Sequence, residues 1–466
     1  MPLNPFVFQK SRMSNALFAI PSNWEPTTLG EVCKRGGGDV QTGPFGSQLH
    51  AADYVSKGIP SIMPQNIGEN RISEDGIARI TDEDAQRLSR YLVRAGDIVY
   101  SRRGDVERRA LIREREEGWL CGTGCLRVRF GKGVVHPPYA AHYLGHPLVR
   151  EWIVRHAHGA TMPNLNTSIL SALPFVLPTL DEQRAIAYIL GTLDDKIELN
   201  RRMNETLEAI ARAMFKSWFV DFDPVRAKMS GEPPESICQR LGLTLDLLAL
   251  FPGSLVDSEL GEMPTGWGVQ SFIGGVDIIG GGTPKTSVPE YWGGEIPWFS
   301  VVDAPSGSDV WVVDTEKKVT REGIENSSAR ILPVGTTIIS ARGTVGKIAL
   351  VGVPMAMNQS CYGLRGKVGT QGLFNYFDTQ RLVVTLQQRT HGSVFDTITR
   401  TTLEGVETVV PPSRVVDAFE ALIGPCMQVI RSNVFQSCNL SELRDTLLPK
   451  LLSGELTLSD SFDIER

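Results

Sequence analysis

Apolar residues three and four apart mark two long stretches of the chain. Ile186, Leu190, Leu193, Ile197, Leu207, Ala211 and Met214 form one series, with Asn200 and Asn204 standing in otherwise apolar places. Phe419, Ile423, Cys426, Ile430, Leu440 and Leu447 form the other, interrupted by Asn433, Ser437 and Arg444. This spacing is that of a coiled-coil seam. Ahead of the first series, Thr179-Leu180-Asp181-Glu182 reads as a capping box, in which the Thr and Glu side chains satisfy backbone amides left free at a helix start. An Asn inside an apolar seam costs stability but excludes registers that offer it no polar partner. Asn200 and Asn433, with Ile197, Leu207, Ile430 and Leu440 around them, are therefore expected to pair the two helices with each other; Arg444 departs from the pattern. Elsewhere, short apolar or alternating runs such as "GDIVYS" (96–101) and "TTIISA" (336–341), divided by Gly and Pro, predict strands of compact mixed α/β domains of roughly 150 residues.

The two series belong to a duplication. Residues 139–178 align without a gap on residues 372–411: Tyr143 falls on Tyr376, His158 on His391, Gly159 on Gly392, Leu170 on Leu403 and Pro178 on Pro411, each 233 residues on. The same offset continues through Asn200/Asn433 and Leu207/Leu440. Upstream the register slips, as surface loops permit, but Arg103-Gly104 recurs as Arg342-Gly343, 239 residues on. The predicted architecture is mixed α+β: two globular copies joined by two long helices packed as an antiparallel coiled coil, with an internal pseudo-twofold repeat. Helices of about forty residues would form a rod on the order of 60 Å. Such a body suits the measurement of DNA, where paired modules set the separation of half-sites.

Composition narrows the classes. At 466 residues the chain exceeds the size of one ordinary core, and 41% hydrophobic with 21% charged residues is the balance of a soluble globular protein. No run of about eighteen apolar residues is present to span a bilayer, and the N-terminal stretch lacks the apolar core of a signal peptide. Met13 offers an alternative start. Seven scattered cysteines fit a reduced, cytoplasmic setting, and "CGTGC" (121–125) has no second pair nearby to complete a zinc site. The net charge of −6 averages over domains, whereas binding follows local patches; "SRRGDVERRALIRER" (101–115) holds six arginines against three acids.

Two segments raise the question of catalysis. "VHPPY" (135–139) resembles the Asn/Asp-Pro-Pro-Tyr that holds a flipped base in DNA amino-methyltransferases, but His136 cannot copy the paired donor and acceptor of an amide. It reads better as the lead-in to a helix beginning near Tyr139, since Pro suits a first helical turn. "IIGGGTP" (278–284) belongs to the second copy, well away from that tetrapeptide. No G-x-x-x-x-G-K-[ST] phosphate loop occurs, nor any evident nuclease cluster. A stand-alone or fused methyltransferase and a repeat scaffold that binds no DNA remain as alternatives.

The tracts 177–225 and 250–269, together with "TGPFGSQLH" (42–50) and "GGTPKTSVPEYWGGEIPWFS" (281–300), resemble specificity subunits of type I restriction-modification systems over about residues 20 to 455. The resemblance implies a non-catalytic subunit with an N-terminal extension (1–20), a first target recognition domain (21–178), a central long helix (179–222), a connector (223–264), a second target recognition domain (265–411), a C-terminal long helix (412–455) and a tail (456–466). Each recognition domain would read half of a bipartite site in double-stranded DNA. The helices would carry two modification subunits, which methylate adenine with S-adenosylmethionine. Restriction subunits, which hydrolyse ATP and cleave DNA, would join that core. The chain itself would need no cofactor or metal; S-adenosylmethionine, ATP and Mg would sit on its partners. The segment "PPSRVVDAF" (411–419) lacks the Glu182-Gln183 pair of the first copy, so the two helices need not meet partners identically. Candidate DNA-contacting residues are Phe45, Ser47 and Gln48 with Arg102 and Arg103 in the first copy, and Thr283, Lys285, Tyr291 and Trp292 with Arg342 and Lys347 in the second. A guanidinium can grip a phosphate or pair bidentately with guanine, and a Gln amide with adenine. An aromatic can pack on a base or anchor its loop, and for Phe45 and Trp292 the anchor is the favoured reading.

Overall fold

The computed structural model describes residues 16–159, 163–305, 307–389 and 397–456. The chain divides into two compact units, residues 1–195 with 440–466, and residues 196–439. Both long helices are formed, over Leu180–Phe219 and Ser413–Ser453. At 1.5 Å per residue each is ~60 Å long, and the division between units falls within each of them.

In the first unit the strands are β1 (Glu25–Thr28), β2 (Gly37–Thr42), β3 (Ile59–Ile62), β4 (Ala78–Ile80), β5 (Ile98–Ser101), β6 (Arg109–Leu111), β7 (Leu120–Cys121), β8 (Cys125–Gly131) and β9 (Pro174–Leu177). They build a sheet ordered β2-β8-β5-β6, a smaller one ordered β4-β3-β7, and the antiparallel pair β1-β9. Alternation along β5 feeds two cores: Ile98 and Tyr100 enter one and Val99 the other. This is why "GDIVYS" carries no polar face.

The second unit repeats that plan. Its strands are β10 (Leu255–Ser258), β11 (Gly261–Pro264), β12 (Gly268–Ser271), β13 (Val276–Gly280), β14 (Trp292–Phe299), β15 (Trp311–Val312), β16 (Lys318–Val319), β17 (Thr337–Ser340), β18 (Ile348–Val351), β19 (Ala356–Met357), β20 (Cys361–Gly366) and β21 (Glu407–Val410). The sheets are ordered β13-β20-β17-β18-β15, β16-β14-β19 and β12-β21, beside the β10-β11 hairpin. Strand for strand this is the first unit with β15 added at one edge. In the connector, three short helices (Asp223–Met229, Pro234–Leu241 and Leu245–Ala249) precede the hairpin.

The capping box forms: the Thr179 amide donates to Glu182 Oε2 at 2.9 Å and the Glu182 amide to Thr179 Oγ1 at 3.3 Å. Glu182 also accepts from the Trp24 indole at 3.1 Å. The buried Gln183 accepts the His136 amide at 2.8 Å and donates to Pro178 and Val134 carbonyls. The Glu-Gln pair thus ties the helix to its own domain. In the second copy, Val415 and Val416 at these positions are fully buried. One turn later Glu420 takes over the tether, its carboxylate accepting from the amides of Thr370, Gln371 and Phe374.

Within the second unit the polar seam positions meet. Asn433 Nδ2 donates to Asn204 Oδ1 at 2.9 Å, and Asn200 Nδ2 to Ser437 Oγ at 3.2 Å and Gln436 Oε1 at 3.0 Å. The Asn200–Ser437 and Asn433–Asn204 contacts interchange under the 233-residue offset, as in an isologous interface. The expected pairing of Asn200 with Asn433 forms from side chain to backbone, Asn200 Nδ2 donating to the Asn433 carbonyl at 3.4 Å. In the first unit Arg444 reaches Asp194 at 2.9 Å, which accounts for its departure from the apolar pattern. Four seam positions shift by one residue: Met427 is buried instead of Cys426, Phe215 instead of Met214, Glu208 instead of Leu207 and Leu448 instead of Leu447. The aromatic cluster of Phe215 with Phe374, Phe377 and Phe419 draws the buried face round by one residue. The helix after "VH" begins at Pro137, two residues before the expected Tyr139, because both prolines fit its first turn.

Candidate nucleic-acid interface

One end of the main sheet gathers the candidate residues of the first copy. As β2 ends, the Gly43 amide donates to the Cys125 carbonyl at 2.9 Å; as β5 ends, the Arg102 amide donates to the Gly124 carbonyl at 2.8 Å. The "GPFGSQ" loop and the Arg102-Arg103 corner therefore flank the same 122–125 turn. Gly43 is required there, since a Cβ would stand 2.1 Å from the Gly122 carbonyl oxygen. Gly104 adopts φ 72°, a left-handed conformation that costs Gly little. It turns the chain so that Arg103 is exposed.

The second copy makes the same arrangement from different residues. The Gly282 amide donates to the Met357 carbonyl at 3.0 Å and the Ala341 amide to the Ser360 carbonyl at 2.8 Å. The "GGTPK" loop and the Arg342-Gly343 corner thus flank the 357–360 turn, and Gly343 again has φ 76°. Thr283 Oγ1 donates to Gln359 Oε1 of that turn. Bridges join Arg103 to Asn164 and Arg342 to Thr397; Asn164 and Thr397 are themselves 233 residues apart.

The remaining candidates sort by exposure. Phe45 is 54% exposed, which overturns the loop-anchor reading: the loop is held by Gln48 instead, whose Oε1 accepts from the Phe45 amide at 3.1 Å and the Tyr91 hydroxyl at 2.9 Å. Gln48 is thereby committed to the loop, while Ser47 beside it is exposed. Trp292 is an anchor as expected, edge-on to Trp298 at 5.1 Å and donating to the Lys285 carbonyl at 3.3 Å. Tyr291 is half-buried, its carbonyl accepting from Thr320. Lys285 and Lys347 are exposed.

Burial separates the arginines of the 101–115 stretch by role. Arg109 lies inside the unit, donating to the Ala141 carbonyl at 3.1 Å, and burial pushes its pKa down. Arg108 pairs with Asp105 and Arg115 with Glu116. Among the described residues, Arg102 Nε and Asn164 Oδ1 are buried without a partner. Asn164, Thr397 and Gln359 join the sheet-end clusters although sequence reasoning did not single them out. For the first two, the unbroken repeat alignment carried the signal. His391 and Gly392 of that alignment lie outside the described residues.

The family description "Type I restriction modification DNA specificity domain" matches residues 21–209 and 264–416, one segment for each copy. The chain belongs to this family. The specificity subunit of the type I restriction enzyme HindI from Haemophilus influenzae is 25% identical over 93% of this chain and 100% of its own length. The MjaIX specificity subunit from Methanocaldococcus jannaschii is 22% identical over 95% of each chain. A crystal structure of the type I restriction-modification S subunit from M. genitalium shares the fold, with a TM-score of 0.53 at 15% identity over 93% of this chain and 98% of that one. In this specificity-family chain no described helix is long and apolar enough to cross a membrane. Cys121 is buried, which pushes its thiol up to about 12, and the Cys125 thiol donates to the Ile62 carbonyl at 3.2 Å. Both thiols therefore serve as core residues.

Proposed function

We propose that the chain is the non-catalytic DNA-reading subunit of a type I restriction-modification assembly, acting in the cytoplasm. Each sheet-end cluster reads one half of a bipartite double-stranded site. The observation that carries this reading is the duplicated exposed Arg-Gly corner, Arg103 and Arg342, set beside a constrained loop in each unit. Arginine corners of this kind suit phosphate gripping or guanine recognition, and the names of the relatives support the assignment. Two modification subunits, carrying S-adenosylmethionine, dock along the long helices, and restriction subunits supply ATP- and Mg-dependent chemistry. Leu199, Met203 and Ile210 support such docking: they are 52%, 39% and 46% exposed at four- and seven-residue intervals on one helix face.

The test is methyl transfer from labelled S-adenosylmethionine to DNA by the purified chain, alone and with its cognate modification subunit. Transfer is expected only from the mixture, and only on DNA carrying the target. Robust turnover by the chain alone would overturn the proposal, as would a mixture whose target stays the same when this subunit is exchanged for a relative.

A further inference from the structure

The second copy adds strand β15 at the edge of its main sheet. In the first copy, one residue reaches the edge strand β6: the Asn70 amide donates to the Arg109 carbonyl at 3.0 Å, and Asn70 Oδ1 accepts from the Leu111 amide at 3.3 Å. In the second, Val310 takes the corresponding place beside β18, its carbonyl accepting from the Leu350 amide at 2.9 Å. Asn70 has φ 53° and Val310 φ 46°. Asn tolerates that left-handed region, whereas for a β-branched residue it is a genuine outlier, held only where the surroundings over-determine it.

The two neighbours of Val310 supply those surroundings. Trp311 is 3% exposed; its indole N–H donates to the Met427 carbonyl of the second long helix at 2.9 Å, and the Arg431 guanidinium lies 5.8 Å from its ring. Asp309, on the other side of Val310, accepts from Asn204 Nδ2 of the first long helix at 3.1 Å. Asn204 is the residue that also accepts from Asn433. One short segment thus grips both helices of the second unit at their polar seam. In the first unit Met427 is replaced by Asp194, and a cavity of about 500 Å³ opens there, lined by Asn70, Leu111, Gly191 and Asp194. The first copy has space where the second has an indole.

We infer that Asp309 and Trp311 are positioning residues: they lock the second recognition domain to its helix segments and so fix the spacer between half-sites, a role the first copy has no strut to fill. This rests on the DNA-reading function proposed above. The domain is otherwise held through its covalent ends, the Glu420 carboxylate that accepts from the Thr370, Gln371 and Phe374 amides, and the packing of Phe374 and Phe377 on Phe215 and of Trp267 on Phe219; the strut adds a separate hold on the helices at Asn204 and Met427. With the strut in place a tilt must break the Trp311–Met427 and Asp309–Asn204 bonds together.

The experiment is methylation by the full chain with its modification subunit on a DNA library in which the two half-sites are constant and the spacer varies one base pair at a time. The wild type reports on the underlying function, because failure to modify any bipartite site would sink that reading separately from this one. Trp311→Ala is expected to lower the preference for the native spacer by about tenfold, with modification appearing at neighbouring lengths and both half-sites unchanged. Trp311→Phe, which keeps one buried aromatic ring but loses the indole donor and the second ring, should lower the preference by less than Trp311→Ala. Asp309→Ala leaves the ring in place and keeps the test open if Trp311→Ala does not fold; its expected result is an intermediate loss of preference. If the folded, assembled variants modify the native spacer with undiminished preference, the strut does not position the domain. A change in half-site sequence with the spacer preference intact would likewise overturn the inference.

Discussion

Removing the Asn433 side chain strips Asn204 Oδ1 of its 2.9 Å donor in a setting where Asn204 is only 2% exposed. Leaving a buried acceptor unsatisfied costs about 1–3 kcal/mol, so Asn433→Ala should destabilise the helix segments of the second unit by that amount. Asn204→Ala loses the same bond and also the tie to Asp309 at 3.1 Å, and its single effect should be larger. The Asp309 loss is common to that single variant and to the double variant, so a double-mutant cycle cancels it and isolates the Asn204–Asn433 interaction. The expected coupling is about 1 kcal/mol, or roughly fivefold in the local opening equilibrium. Native-state hydrogen exchange of the amides of residues 200–208 and 430–437 reads this directly, because it follows local opening in place of global unfolding of a multidomain chain. The two single effects should not add: the double variant should exchange about fivefold more slowly than their product predicts. Additivity within about 0.5 kcal/mol would show that the seam asparagines do not depend on one another, and the register argument would fail with it.

Arg103→Ala should weaken or relax recognition of one half-site and Arg342→Ala the other, by about 1–3 kcal/mol each if they read bases; methylation of half-site variant libraries separates this from a uniform loss, which would mark phosphate contacts. Gln183→Ala should cost the first unit about 1–3 kcal/mol in denaturant unfolding, since it leaves the His136 amide and the Pro178 carbonyl without their partner; an unchanged midpoint would remove the tether from the account. Burial pushes the pKa of His142 down to about 4 against the opposing pull of Asp194, with Arg109 and Arg444 adding to the depression. The unfolded side chain takes up a proton near pH 6.5 and the folded one resists it, so stability is full above about pH 6.5 and is lost as pH falls from there toward 4. His142→Gln should flatten that slope in pH-dependent unfolding, and an unaltered slope would refute the assignment.

Much of the fold was legible because it was written twice. The 233-residue offset placed β9 and β21 in equivalent positions, and the slipped offset of 239 made the Arg103 and Arg342 corners correspond. The capping box and the seam asparagines were local signals, and local signals survive folding when tertiary contacts agree with them. What escaped the sequence depended on long-range contacts. Met427 replaced Cys426 in the seam because Trp311, more than a hundred residues away, comes to rest on that turn of helix. Phe45 does not anchor its loop because Gln48 Oε1 closes it, accepting from the Phe45 amide and the Tyr91 hydroxyl, so the ring stays exposed. The arginine-rich stretch read as one basic patch, whereas burial gives Arg109 a structural role and leaves Arg103 at the surface. Charge counts carry no information about which side of a strand faces the core.

The proposed function has two similar surfaces in one chain read two separate half-sites. Mapping every methylated adenine in DNA from cells that express this chain with its cognate modification subunit tests it most directly. One bipartite motif is expected, two short specified segments separated by an unread spacer of constant length. Exchange of residues 265–411 for those of a relative should change only one segment. A single continuous motif would rule out reading by two separate surfaces, and so would an exchange that alters both halves together.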